Sequence, residues 1–315
     1  MIWKTVLGRL AWCVPTILAV SFLVFLMLEL APGDPAREIA GPEASQEVVE
    51  RIRTDLGLDR PLFARYGEWL GHAARGDLGH SLVSQRPVTT RIFNVIGVSA
   101  SLIVVGVVFA VIAALLLALL PVLFRWRWLE RVCSLVAAAA IATPSFWLAL
   151  VLVNAFALQR SWLPAVGYAG LSSGVWEWLR HLVLPGIAIG ASVAGHLARQ
   201  LSSSVADAMK TDYVIAARAK GVGHARIVLK HVLKNAAIPV VTVLGIRVGQ
   251  LFGATVLVER VFLLNGLGDL TLSAVLSRDV TLVLGILVVV ATLIALINLL
   301  VDVSYLYFNP KVRSA

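Results

Sequence analysis

Charge is scarce in this chain of 315 residues: 14% are Asp, Glu, Lys or Arg, against 59% hydrophobic, with a mean hydropathy of +0.88. A water-soluble domain has no interior large enough to hide that much apolar surface, so that class is excluded and the chain is read as an integral membrane protein. Cysteine is nearly missing. Cys13 and Cys133 both fall in apolar runs, which leaves them as small membrane hydrophobes and excludes a disulfide framework. No G-x-x-x-x-G-K-[ST] loop occurs, so the chain has no phosphate cradle of that kind. Gly266-Leu267-Gly268 lacks the third glycine of a dinucleotide loop. The histidines (His72, His80, His181, His196, His224, His231) show no H-E-x-x-H or comparable spacing, so no metal site is expected, and no nucleophile–base set supports an enzyme.

What is abundant is apolar sequence in long runs. Six spans are expected: Leu10 to Leu30, Val98 to Phe124, Val132 to Leu158, His181 to Leu197, Ala237 to Val258 and Val280 to Val301. Each is close to the length a helix needs to cross hydrocarbon. Lys4 and Arg9 precede the first run, which is too long for a signal-peptide core and is taken as a retained span. Pro144 and Pro185 are expected to bend the third and fourth spans.

Lys and Arg set the orientation. Fourteen lie on one side: Lys4, Arg9, Arg125, Arg127, Arg131, Arg199, Lys210, Arg218, Lys220, Arg226, Lys230, Lys234, Lys311 and Arg313. The short loops opposite hold four, Arg160, Arg180, Arg260 and Arg278. The first side is therefore expected in the cytoplasm with both termini, and the net charge of +9 faces anionic lipid, without any need for a nucleic-acid partner.

Two polar segments interrupt the spans. Residues 31–97 form a nearly neutral outer loop that reads as a folded subdomain. Ser45 is placed as the cap of a helix to Leu56 bearing Val48, Val49 and Ile52, and Asp59 and Pro61 open a second helix with Leu62, Tyr66, Trp69 and Leu70. Gly76-Asp77-Leu78-Gly79 reads as a turn. Residues 199–239 are the one long polar stretch in the C-terminal half. A helix is expected from Ser202 to Lys220, broken by Gly221 and Gly223. A second follows, with Val228, Leu229, Val232 and Leu233 on one face and Arg226, Lys230 and Lys234 on another. Pro239 marks entry to the next span. Two short helices at a membrane surface suit docking in a groove on a partner.

The string Tyr213-x-x-Ala216-Ala217-Arg218-Ala219-Lys220-Gly221, with Asn235 and Ile238-Pro239, resembles the "EAA" loop of permease subunits of bacterial ABC importers; Ile215 stands where the glutamate of that name falls. Ala31-Pro32-Gly33-Asp34-Pro35, Leu56 to Pro61, Gly76-Asp77-Leu78-Gly79-x-Ser81, Arg86-Pro87-Val88, Thr143-Pro144-Ser145-Phe146-Trp147 and Trp162-Leu163-Pro164 are similar to the B-type permeases of the dipeptide, oligopeptide, glutathione and nickel importers. So are Val258 to Phe262, Gly266 to Gly268, Arg278-Asp279, Asn298 to Asp302 and Asn309 to Arg313, which carry the resemblance over nearly the whole chain.

The resemblance implies an all-α integral membrane protein of six transmembrane helices in the bacterial inner membrane. Its parts are residues 1–30 (cytoplasmic N-terminus and first span), 31–97 (extracytoplasmic loop), 98–301 (permease core, with the coupling loop at 199–239) and 302–315 (cytoplasmic tail). It implies a homologous C-type permease beside the chain, two ATPase subunits that bind ATP and magnesium, and an extracytoplasmic binding protein, with no cofactor or catalysis in this chain. Asp212, Tyr213, Ala216, Ala217, Arg218, Lys220 and Gly221 are the expected ATPase-coupling residues, the small ones permitting close approach and Arg218 and Lys220 pairing with acids or lipid headgroups. Polar residues inside spans are costly and point to a path: Arg247 first, able to meet a substrate carboxylate or a partner acid, then Asn154 and Gln250, with Asn298 and Asp302 weaker. Glu259 is expected at the outer rim, near a docked binding protein or within a structural turn. Peptides are the implied cargo, with nickel or a metal chelate second. A self-sufficient secondary transporter is the rival class. It is disfavoured by the lack of mid-span carboxylates and of an inverted repeat.

Overall fold

The structure, a computed structural model, describes residues 2–30, 34–41 and 43–308, with side chains from residue 14 to residue 299, residue 38 apart. The motif residues 31–33 and 309–313, and the side chains of Lys4, Arg9, Cys13 and Asp302, lie outside the described residues. In chain order the helices are α1 (Ile2–Leu30), α2 (Pro35–Ala40), α3 (Gln46–Asp55), α4 (Leu62–Ala73), α5 (Val88–Phe124), α6 (Arg127–Ala142) and α7 (Ser145–Leu152). They continue as α8 (Val175–Ala208), α9 (Asp212–Ala219), α10 (His224–Arg226), α11 (Leu233–Phe262), α12 (Leu267–Leu276) and α13 (Val280–Phe308). Wide π-turns at Val153–Leu158 and Ile227–Val232 extend α7 and join α10 to α11. No strand occurs among the described residues.

Four helical runs are long and apolar enough to cross a membrane: Val88–Phe124, Val175–Ala208, His224–Phe262 and Val280–Leu299. A fifth arises if α6 and the run Ser145–Leu158 are one broken span, bent by 107°. The helix that carries the second expected span starts ten residues before it, at Val88, because residues 88–97 continue the same helix. The bend expected at Pro144 is a break. Proline disfavours helical backbone at the residue before it, and here Thr143 is extended, with φ −83° and ψ 122°. Pro185 and Pro239 sit inside continuous helices, so the helix that carries the fifth expected span begins before Pro239.

Contacts divide the chain into two compact units, Met1–Gly97 with Asn265–Ala295 and Val98–Leu264 with Leu296–Ala315. In the first unit, Asp34 accepts from the Ala36 amide at 3.0 Å and caps α2. Ser45 stands at the N-cap of α3 but makes no capping hydrogen bond, and Val48 is exposed while Val49 is buried. The amphipathic α4 lays Tyr66 against α1, edge-on to Phe22 and tilted against Phe25 and Trp69, with its hydroxyl 2.9 Å from Ser21 Oγ. Arg65 closes that contact with a 2.7 Å pair to Glu29. Asp279, fully buried at the start of α13, accepts from Ser81 Oγ, from the Leu82 amide (3.0 Å) and from the Leu282 amide (3.2 Å), with Arg91 3.8 Å away.

In the second unit α8 is the axis. It buries Leu182, Ala188, Ile189, Val193, Leu197 and Leu201 against α5, α6, α7 and α11. Small residues let backbones approach closely, as packing between membrane helices favours. A Cβ on Gly190 would lie 2.4 Å from the Gly106 carbonyl oxygen. Gly190→Ala is therefore expected to push α8 off α5 and cost about 1–3 kcal/mol. Thermal unfolding of the detergent-solubilised protein checks this, and an unchanged midpoint would refute the close crossing.

Candidate functional site

The polar segment after α8 is shaped by local capping. The helix expected from Ser202 to Lys220 is two helices. The α8 helix ends at Ala208, Thr211 Oγ1 donates to the Ala208 carbonyl at 2.6 Å, and Thr211 is extended (φ −76°, ψ 152°), so α9 starts afresh at Asp212. Asp212 in its first turn favours the positive helix end. The other end closes in a Schellman turn: the Val222 amide donates to Ala217 at 3.1 Å, the Gly221 amide to Arg218 at 2.9 Å, and Gly221 takes φ +76°. No atom lies within 4 Å of a Cβ built on Gly221. Its requirement for glycine is thus already met by the backbone, whatever docks against it. A bulky replacement there mixes strain with docking.

One apolar residue holds α9 to the body of the unit. Val214 is wholly buried among Ala118, Leu119, Leu201, Val205, Ile227 and Val228. Two polar ties assist: Asn235 Nδ2 donates to Tyr213 Oη at 3.1 Å, and a His224 ring nitrogen lies 2.8 Å from the Val122 carbonyl. The motif residues Tyr213 and Asn235, far apart in sequence, are thereby joined. Asp212, Tyr213, Ile215, Ala216, Arg218 and Lys220 remain exposed, and Ala217 is partly covered. Ile215, 58% exposed, was noted from the sequence only as a departure from the motif and not as a coupling residue. An exposed isoleucine beside an alanine on a short, rigidly mounted helix is a small apolar knob suited to a partner's groove. The second helix departs from the expected face pattern. Its π-turn buries Ile227, Val228 and Val232 and leaves Leu229 51% exposed.

A second locus lies beside the Pro144 break. A cavity of about 300 Å³ is lined by Thr143, Ser145, Ser192, Arg247, Gln250 and apolar neighbours. Arg247 donates to Gln250 Oε1 at 2.8 Å, and its other terminal nitrogen is 3.3 Å from His196 Nδ1. Arg247 and Gln250, named as path residues, thus share one cavity. Asn154 is exposed on the π-turn after α7 and does not line it. His196, for which the sequence offered no role, is a neighbour of Arg247. Glu259 has no exposed surface and accepts from Ser99 Oγ at 2.5 Å, so it is a buried structural group. Among the described residues no group of three metal-binding side chains comes together.

Several membrane-length helices and a short polar helix pinned beside them define a multi-pass membrane protein. Residues 106–314 match the family described as "Binding-protein-dependent transport system inner membrane component", and residues 2–103 match its N-terminal companion, so the chain belongs to this family. It is 40% identical over 308 residues, 98% of each chain, to the glutathione transport system permease protein GsiC of Escherichia coli strain K12. It is 39% identical, with the same coverage, to GsiC of Shigella boydii serotype 4. Among solved structures, an inward-facing conformation of the MetNI methionine ABC transporter matches with TM-score 0.55 over 70% of this chain and 96% of that one. At 17% identity that likeness concerns fold. The chain is a permease subunit of an ABC importer, a multi-pass membrane protein.

Proposed function

We propose that the chain pairs with a homologous C-type permease to form the path for short peptides or peptide-like solutes such as glutathione. An extracytoplasmic binding protein delivers them, and two ATPase subunits hold the ATP and magnesium and do the hydrolysis. In this reading six helices cross the bacterial inner membrane with both termini inside. Residues 31–97 face outward, and residues 302–315 form the cytoplasmic tail. No cofactor is bound by this chain. The α9 helix, with Asp212, Tyr213, Ala216, Ala217, Arg218, Lys220 and Gly221, enters a cleft of an ATPase. Closure of the ATPases on ATP then moves α9, and rigid-body tilting exchanges inward- and outward-open cavities.

One observation carries this reading: α9 is closed at its C-terminal end by the turn at Gly221 and pinned through Val214, so a push on it is transmitted to the ends of α5 and α8 rather than absorbed. The name of the 40% identical relatives supports the peptide-like cargo. Affinity purification of the tagged chain from native membranes tests it. Stoichiometric recovery of two ATPase copies and a second permease is expected; recovery of this chain alone contradicts it.

A further inference from the structure

Twenty-six of the twenty-seven Lys and Arg residues lie in loops or tails in the sequence reading; Arg247 is the exception, within a span. A guanidinium in a hydrocarbon zone is costly unless a counter-charge meets it. Among the described residues no carboxylate does so. Its partners are the Gln250 amide oxygen and a ring nitrogen of His196. Those two contacts use two of its five N–H groups and fix its orientation, leaving three to donate. The Gln250 oxygen is occupied, so that side chain has its NH2 left to offer. Ser145 and Ser192 line the same cavity, and neither hydroxyl makes a hydrogen bond among the described residues. Thr143 spends its proton on the Ala139 carbonyl. The remaining lining is apolar, including Ile189, Val193 and Leu251. The cavity is therefore rich in unspent donors, carries one uncompensated positive charge and contains no acid.

We propose that this cavity binds the terminal carboxylate of the transported solute as it passes, with Arg247 as the fork and Ser145, Ser192 and Gln250 as further donors. At about 300 Å³ it fits one end of a short peptide rather than the whole molecule. The site has no acceptor suited to the solute's ammonium end, so selectivity is for the free acid group and indifferent to the amine. Planar two-pronged pairing is what arginine offers a carboxylate and lysine does not. The proposal rests on the reading of the chain as a peptide-class permease.

The test uses the whole reconstituted complex with its binding protein saturated by either of two matched dipeptides, one a free acid and one C-terminally amidated. Both are first shown by calorimetry to load the binding protein. The wild-type complex is expected to translocate the acid about tenfold faster than the amide, the ratio expected for one charged contact. Arg247→Gln removes that preference by slowing the acid alone. Arg247→Lys, which keeps the charge, lowers the preference at least about threefold and serves if the glutamine variant does not accumulate in the membrane. An N-acetylated free-acid peptide is expected to behave as the unmodified free acid does, in the wild type and in both variants. Equal slowing of acid and amide overturns the proposal. So does loss of the second permease from the Arg247→Gln complex, which would assign the arginine to a partner acid. If the wild-type complex moves neither peptide, the peptide reading itself fails, a distinct outcome.

Discussion

A tryptophan in place of Ala216 is expected to lower ATP-driven uptake by about 30-fold or more while the chain accumulates and folds normally. Ala216 is exposed on α9, and exposed substitutions away from special geometry change stability by only about 0.5 kcal/mol. Within a fitted cleft the same side chain has no room. Losing about 2 kcal/mol at a central contact is enough for the stated factor. Ala216 is a sharper probe than Gly221, whose left-handed backbone costs about 1 kcal/mol on substitution before any partner is involved. The readout is uptake per assembled complex, together with ATPase co-purification. Normal uptake at normal abundance would remove α9 from the coupling path.

The second large effect concerns Asp279. Its carboxylate satisfies Ser81, the Leu82 amide and the Leu282 amide at the start of α13, and it is wholly buried. Asp279→Leu leaves those donors without an acceptor and Arg91 without its nearby charge. A buried charged partner removed from one side costs about 3–5 kcal/mol. The segment Ser81 to Arg91 is expected to become sensitive to protease and to exchange its amide hydrogens faster. Asp279→Asn, which keeps an acceptor oxygen, is expected to fall between. An unchanged digestion pattern in the leucine variant would show that the carboxylate does not tie these segments together.

These residues also show how far sequence reaches. Apolar runs located the four helices of spanning length, and the small-residue string located α9, because hydropathy and capping are local properties. Partnerships across the chain were not visible. Ser81 and Asp279 were each noted as motif residues, yet nothing in either neighbourhood announces a bond across 198 positions. Arg247 was singled out for its charge, but its meeting with His196 and the Pro144 break depends on how α6, α8 and α11 pack. The four-residue repeat of Arg226, Lys230 and Lys234 suggested an ordinary helix, whereas the backbone there widens into a π-turn. The break at Thr211 escaped notice because no proline or glycine marks it. A threonine hydroxyl bonded to the preceding turn does that work. Glu259 sat near a predicted rim, and only packing shows it buried against Ser99.

The central claim is that this bundle draws its power stroke from separate ATPases through α9. Proteoliposomes test it most directly: the chain alone, and the chain with its companion permease, ATPases and binding protein, each given solute with and without ATP. Accumulation against a gradient is expected only in the complete set with ATP. Uphill accumulation by the chain alone would contradict the account.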